Sequence, residues 1–272
     1  MSLLGATILA GLVLASIFGP MVSSADPTAT DLPERLRPPA WVPSGSGAHL
    51  LGTDGLGRDV LIRIIYGGRI SLTIGFGATL IGTAVGVPLG IMAGYYGGAV
   101  DTVLMRLADI QLGFPSILLY ISALTVIRPS LWKMTVILGV AGWVVYARLV
   151  RAQVLAQREQ EYIEAARAVG SGTPRVLLRH IVPNVLAPTV VVASYSVAVV
   201  IITASSLSFL GLGLPPATPD WGAMIATSME YIHQAWWPST FAGVALSLTV
   251  FGVSVVGDWI RDYLDPRLRV ET

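Results

Sequence analysis

Six runs of roughly twenty mostly apolar residues, separated by polar stretches, set the plan of the chain. A helix rising ~1.5 Å per residue needs about 20 such residues to cross ~30 Å of hydrocarbon. The runs cover residues 3–22, about 70–95, about 100–127, about 131–150, 185–207 and 240–260. Residues 3–22 lack a basic leading region and exceed the core of a signal peptide, so they read as a retained span. Alternating ten-residue strands are absent, and lipid admits only helices or closed barrels. The pattern therefore predicts an all-α polytopic membrane protein with six transmembrane helices.

The third run carries charge. Asp101, Arg106 and Asp109 lie in its first three turns, and Arg106 and Asp109 are spaced to pair on one helix face. Pro115 removes a backbone donor further on and predicts a bend.

Two polar stretches have patterns of their own. Residues 25–52 are rich in Pro, Gly and Ser and predict a loop. From Leu56 to Gly68 the apolar Leu56, Val60, Leu61, Ile64 and Ile65 share a helical face opposite Arg58, Asp59 and Arg63. That predicts a separate amphipathic helix in the membrane interface, with Asp54 as its cap.

The second stretch, 153–184, predicts two short helices. Gln160 to Val169 is the first, with Ala165, Ala166 and Ala168 as a small-residue face and Gly170 as a left-handed terminator. Thr173 caps a second helix, Pro174 takes its first position, and Pro183 is expected to stop it. An alanine face flanked by Glu164 and Arg167 suits a groove on a partner protein, with the charges fixing register. The bland alternative is a solvated loop. The expected domains are a first helix (1–24), an outer loop with its interfacial helix (25–69), a five-helix core (70–260) including the loop 153–184, and a tail (261–272).

Composition supports lipid as the solvent. Hydrophobic residues make up 54%, charged residues 12%, and mean hydropathy is +0.71, against about a quarter charged in soluble domains. Net charge is +1 and no basic stripe appears, which argues against a nucleic-acid partner. Cysteine is absent, which excludes thiolate chemistry and Cys-based metal sites. The single lysine, Lys133, is followed by Met134, so the chain lacks a phosphate-cradling loop ending in Lys-Ser/Thr. Any ATP must be bound elsewhere.

Arginines set the orientation. Residues 208–239 hold no Lys or Arg, while Arg148, Arg151, Arg158, Arg167, Arg175 and Arg179 crowd the stretch before the fifth run. The Glu164 loop is therefore expected inside, as are both termini. His233 and Glu230 lack a third metal ligand, and no Ser/His/Asp set is visible. With no catalytic set, the chain does not read as an enzyme. The second, third and fifth runs are apolar nearly all round, so no pathway-lining residue is assigned.

The segment Glu164-Ala-Ala-x-x-x-Gly170, with His180-Ile-Val-Pro183 behind it, resembles the EAA loop of permease subunits in binding-protein-dependent ABC importers. His180 fits the His-Ile-Leu-Pro-Asn form of peptide and nickel permeases. Leu51-Gly-Thr-Asp-Gly-Leu-Gly-Arg-Asp59, Gly68-Arg-Ile-Ser-Leu72, Phe209-Leu-Gly-Leu-Gly213 and 257–269 extend the likeness to C-type dipeptide/oligopeptide permeases. The resemblance implies a type I importer permease fold. It also implies that Glu164, Ala165, Ala166, Arg167 and Gly170 couple to an ATPase, with His180 and Pro183 shaping the loop. Implied partners are a B-type permease, two ATPase subunits (or one fused ATPase) that bind ATP and Mg, an extracytoplasmic substrate-binding protein, and the lipid bilayer of a bacterial cytoplasmic membrane. The implied cargo is di- or oligopeptides. Nickel or another small solute on the same architecture is the alternative. A stand-alone secondary transporter or channel is a distant one, because midplane carboxylates and internal repeats are lacking.

Overall fold

The computed structural model describes residues 2–22 and 25–264. Its helices in chain order are α1 (Ser2–Val22), α2 (Val60–Tyr96), α3 (Gly98–Leu112), α4 (Ser116–Val126), α5 (Leu131–Ala141), α6 (Trp143–Arg158), α7 (Glu161–Ala168), α8 (Thr173–Val176), α9 (Val182–Phe209), α10 (Trp221–Ser228) and α11 (Trp237–Leu264). Each of the six expected runs maps onto one of them or onto a joined pair. Four stretches are long and apolar enough to cross a membrane: α2, α5 with α6, residues 173–209, and α11. Helices α3 and α4 form a fifth span when counted as one, bent by 84° at the break before Pro115. Helix α1 is a shorter apolar helix. The tail at 265–272 lies outside the described residues.

Helix α2 is the spine, and its sequence shows why. Gly82, Gly86, Gly90 and Gly94 recur every fourth residue and are all buried. A Cβ on Gly90 would sit 2.6 Å from the Ala147 carbonyl oxygen, and one on Gly94 would sit 2.9 Å from that of Arg151. The glycine stripe thus lets the α2 and α6 backbones meet, which is how helices associate where apolar lipid removes the hydrophobic drive. Helix α9 packs on α2 through Val197, Ala198 and Ile201, and α11 carries α1 on its outer side.

Several expectations are corrected. The interfacial helix at 56–68 and the second span are one continuous helix of 37 residues beginning at Val60. Its polar face does not meet water: Arg58 and Arg63 are buried, Arg63 to 2% exposure. The helix cap is Asp59, whose side chain accepts from the Ile62 amide at 2.9 Å, not Asp54. Asp109 pairs with Arg148 on α6 instead of Arg106, and Asp101 reaches Arg151 at 2.6 Å, so the charges of α3 serve its docking on α6. Gly172, not Thr173, caps α8. Pro183 does not stop a helix either. A π-type turn at Leu177–Ile181 carries α8 into α9. There the Val182 amide reaches back five residues to the Leu177 carbonyl. Widening the turn accommodates a proline whose ring would otherwise crowd the carbonyl four residues earlier.

Candidate functional site

The loop at 153–184 gathers at the end of α2 opposite the N-terminal segment. Ile163 is fully buried with Val150 and Val154 of α6, Val176, Ile181 and Val185, against Tyr95 at the end of α2. It is the anchor of α7, whose other side chains lie largely outside the core. Arg167 stacks its guanidinium over Tyr95, 5.4 Å from the ring centre. Tyr162 donates to Gln157 and lies 6.2 Å from the His180 ring. Asn184 donates to the His180 carbonyl at 2.6 Å. Helix α7 is thus fixed to α6, α2 and the start of α9 at once.

The helix ends as its glycine demands. Gly170 has φ +85°, its amide donates to Arg167, and the Ser171 amide donates to Ala166, the paired bonds of a Schellman motif. What remains outward is Glu164, Ala165, Ala168 and Val169, the last 84% exposed, with Leu178 (71%) nearby. Ala166 is half-buried against the chain itself, so the small-residue face is narrower than its sequence suggests. Glu164, Ala165, Arg167, Gly170 and His180 share this end of the molecule. Pro183 is exposed at the first turn of α9 and lines a separate recess with Arg261 of α11.

The opposite end holds a feature that sequence reading missed. Residues 25–59 fold over the start of α2 and over α10, burying Trp221 and Trp237 with Val60, Leu36 and Leu51. Trp237 donates its indole N–H to the Thr53 carbonyl, and Trp221 donates to that of Ile64, each at 3.0 Å. Inside this cap Asp54 accepts from Arg58 Nε at 2.7 Å, and Arg63 Nε stands 3.5 Å from the same oxygen. Arg63 also donates to the Pro27 carbonyl at 3.0 Å. Nearby, Asp220 is buried at the start of α10, where it caps the Gly222 amide. Burial pushes the Asp220 carboxyl above the usual carboxylate range, against the pull of hydrogen bonds and of Arg63. The spacing of Asp54 and Arg58 was the available signal, but it was read on a helix that begins only at Val60.

A third feature lies between the ends. A cavity of about 420 Å³ opens among α2, α4, α5, α6 and α9. Thr79, Tyr120, Tyr146, Tyr195 and Thr203 are among its lining residues, the hydroxyl oxygens of Thr79 and Tyr146 themselves being buried. No polar stripe was visible in the linear pattern because these residues come from four helices, one or two from each. Among the described residues, no group of three metal-ligating side chains is present.

The helical membrane body thus carries an anchored surface helix at one end, and comparison with known proteins places it among transport permeases. The chain belongs to the family of binding-protein-dependent transport system inner membrane components, whose model matches residues 86–270. It is thus a multi-pass inner-membrane protein. Residues 1–39 match the N-terminal TM domain of oligopeptide transport permease C. The chain is 38% identical over 258 residues to the di/tripeptide transport system permease protein DppC of Pseudomonas aeruginosa, covering 95% of this chain and 85% of that protein. It is 37% identical over 269 residues to the oligopeptide transport system permease protein OppC of Bacillus subtilis, covering 99% and 86%. In fold it is similar to a chain of the inward-facing MetNI methionine ABC transporter, with a TM-score of 0.62 at 19% identity, covering 75% of this chain and 96% of that one.

Proposed function

We propose that this chain is one permease half of an ATP-driven importer that carries di- or oligopeptides across the cytoplasmic membrane. The observation that supports it most is the joint one: relatives named for peptide transport match nearly the whole chain, and α7 is built as a rigid lever. A second, B-type permease completes the pathway, two ATPase subunits supply hydrolysis, and an extracytoplasmic binding protein delivers cargo. The chain itself does no chemistry and holds no nucleotide; ATP and Mg belong to the ATPase chains.

The lever works through its anchoring. Glu164, Ala165, Arg167 and Gly170 meet the ATPase, and Ala166 and Ile163 transmit its movement inward. Because α7 is held to α6, α2 and α9 together, closure of the ATPase pair moves those helices as a group. The permease then rocks between inward- and outward-facing arrangements. His180 and Pro183 shape the turn through which α9 follows. In this reading α7 and both termini face the cytoplasm, and the cap of residues 25–59 faces outward toward the binding protein.

Two measurements test this. The purified chain should co-elute with an ATPase, and peptide uptake by the assembled complex should stop when ATP is depleted; uptake that persists without ATP would sink the proposal. A cysteine at Ala168, exposed on α7, should react with a membrane-permeant thiol reagent but not with an impermeant one added to intact cells.

A further inference from the structure

The height of the bilayer can be read off α11. From Trp237 to Gly257 that helix carries no charged residue. At ~1.5 Å per residue the stretch is about 31 Å long, close to the ~30 Å of hydrocarbon in a membrane. The fit leaves little to spare, so each end of the run lies at a boundary. Asp258 closes it at one end, where Trp259 and Tyr263 stack with ring centres 5.7 Å apart. Trp236 and Trp237 open it at the other, their rings 6.3 Å apart. Aromatic residues gather at both membrane–water boundaries for their amphipathic rings. Beyond the opening pair, Phe241, Val244, Leu248 and Phe251 share one face of α11, and the last three are exposed.

A loop of the cap reaches the top of this apolar face. Trp41 packs edge-on against Phe241 with ring centres 6.0 Å apart, and Trp236 lies 5.7 Å from the same ring. Phe241 is about one turn inside the boundary, and side chains on a helix tilt back toward its N-terminus. Trp41 therefore stands at the height of the boundary. It is outside the core that the cap buries, and 62% of it is exposed. The loop that carries it is tied down at both ends. The Ala40 amide donates to the Leu50 carbonyl at 3.1 Å, and His49 Nδ1 lies 2.8 Å from Asp59 at the start of α2. Between Arg37 and Asp54 the loop holds no Asp, Glu, Lys or Arg. The indoles also divide into two sets. Trp143, Trp221 and Trp237 each donate to an acceptor within the chain, whereas Trp41 and Trp236 have none among the described residues.

From this we infer that the loop at 40–50 is a membrane anchor: Trp41 sits among the lipid headgroups beside α11, in the leaflet on the cap's side. Its ring lies against the upper acyl chains, continuous with the exposed face of Val244, Leu248 and Phe251. Its indole N–H takes an acceptor from the headgroup layer, the use to which a half-wet tryptophan is suited. A docked protein is the other cover for such a surface, but protein interfaces fix their register with a polar rim and hydrogen bonds. This loop supplies no charge for that purpose, and its height along α11 puts it where lipid is. One flank of the cap is thereby fastened to the membrane instead of standing free above it. The inference is independent of the cargo and of the ATPase.

The chain has no cysteine, so a single introduced cysteine can carry a nitroxide label. The complete transporter, its partner chains freed of reactive cysteines, is reconstituted in phosphatidylcholine liposomes. Electron paramagnetic resonance then compares each label's collisions with oxygen, which concentrates in lipid, and with a water-soluble nickel chelate. Trp236→Cys gives the boundary reference, Val244→Cys the acyl-chain reference, and Thr28→Cys, beside exposed Asp26, the water reference. All of these positions are exposed, so the variants are expected to fold. Trp41→Cys should give an oxygen-to-nickel ratio within the range set by positions 236 and 244 and several-fold above that at 28. A ratio like that at position 28 overturns the inference. So does shielding from both reagents, which marks a protein as the cover. Because the label replaces the ring, the native ring is tested as well. Phospholipid brominated near the headgroup end of its acyl chains should quench more tryptophan emission in the parent than in Trp41→Phe, and an equal quenched emission overturns the anchor.

Discussion

Gly170 is the position where backbone chemistry and the proposed lever coincide. Its φ of +85° is left-handed, and a Cβ there would meet nothing within 4 Å. Substitution therefore strains the backbone alone, by ~1–2 kcal/mol for an ordinary residue and more for a β-branched one. Gly170→Val should leave the amount of protein in the membrane unchanged while reducing co-purification of the ATPase, with Gly170→Ala in between. Charge in the outer cap behaves differently. Asp54 is the shared partner of Arg58 and Arg63, all three buried, and losing one member of a buried set typically costs ~3–5 kcal/mol. Asp54→Leu should lower the thermal unfolding temperature of the purified complex well beyond what an exposed substitution does. Asp220 gives a pH signature. Its folded-state pKa is raised by burial, so its contribution favours folding at low pH and is lost as pH rises through that value. Asp220→Asn should be more stable than the parent at neutral pH, with the advantage shrinking on acidification through the raised pKa; an advantage that grows on acidification would contradict the burial argument.

Helix pairs carry the next level of organisation. The glycine stripe of α2 faces backbone carbonyls of α6, so side chains there push two helices apart. Gly90→Leu should destabilise by at least the ~1–3 kcal/mol of an overpacked core, seen as loss of folded protein on extraction, whereas the same change at exposed Gly11 of α1 should be mild by comparison, its Cβ position meeting nothing within 4 Å. Helix α3 is held to α6 by two ion pairs that are half-exposed or partly buried. Pairs of that kind contribute ~0–1 kcal/mol each, so Asp109→Asn should cost little by itself. The elements were legible in the sequence wherever one local rule acted. Gly170 ended α7, Pro115 marked the break between α3 and α4, and apolar length marked every span. They were misread where two rules competed. Arg58 and Arg63 on one face suggested a helix in the interface, because an arginine on an isolated helix must reach water. The fold instead brings Asp54 to them. Pro183 suggested a stop, because a regular turn cannot accept it, and the π turn before it can.

The whole molecule is two differently built ends joined by a glycine-zipped spine. One end is a cap tied by tryptophan indoles and buried charge; the other is a short helix resting on one fully buried isoleucine. The apolar side chains Val103, Leu107 and Ile110 of α3, Phe114 of the break and Leu118 of α4 stay exposed in the single chain, and lipid or a partner permease must cover them. Co-expression with the partner permease should raise the yield of folded chain, and α3 and α4 should be the helices most protected from hydrogen exchange by that partner. The sequence by itself determined that the chain lives in lipid, that its apolar runs fold as helices, where its surface helix ends, and which family it resembles. Those properties follow from length, periodicity and single-residue backbone preference, all of them local. Only the tertiary structure decided which charges are neutralised and which hydroxyls converge. Asp54 meets Arg63 because the segment before α2 folds back over the start of that helix, and Thr79 and Tyr146 come to line one cavity because the close approach of α2 and α6 brings distant positions together.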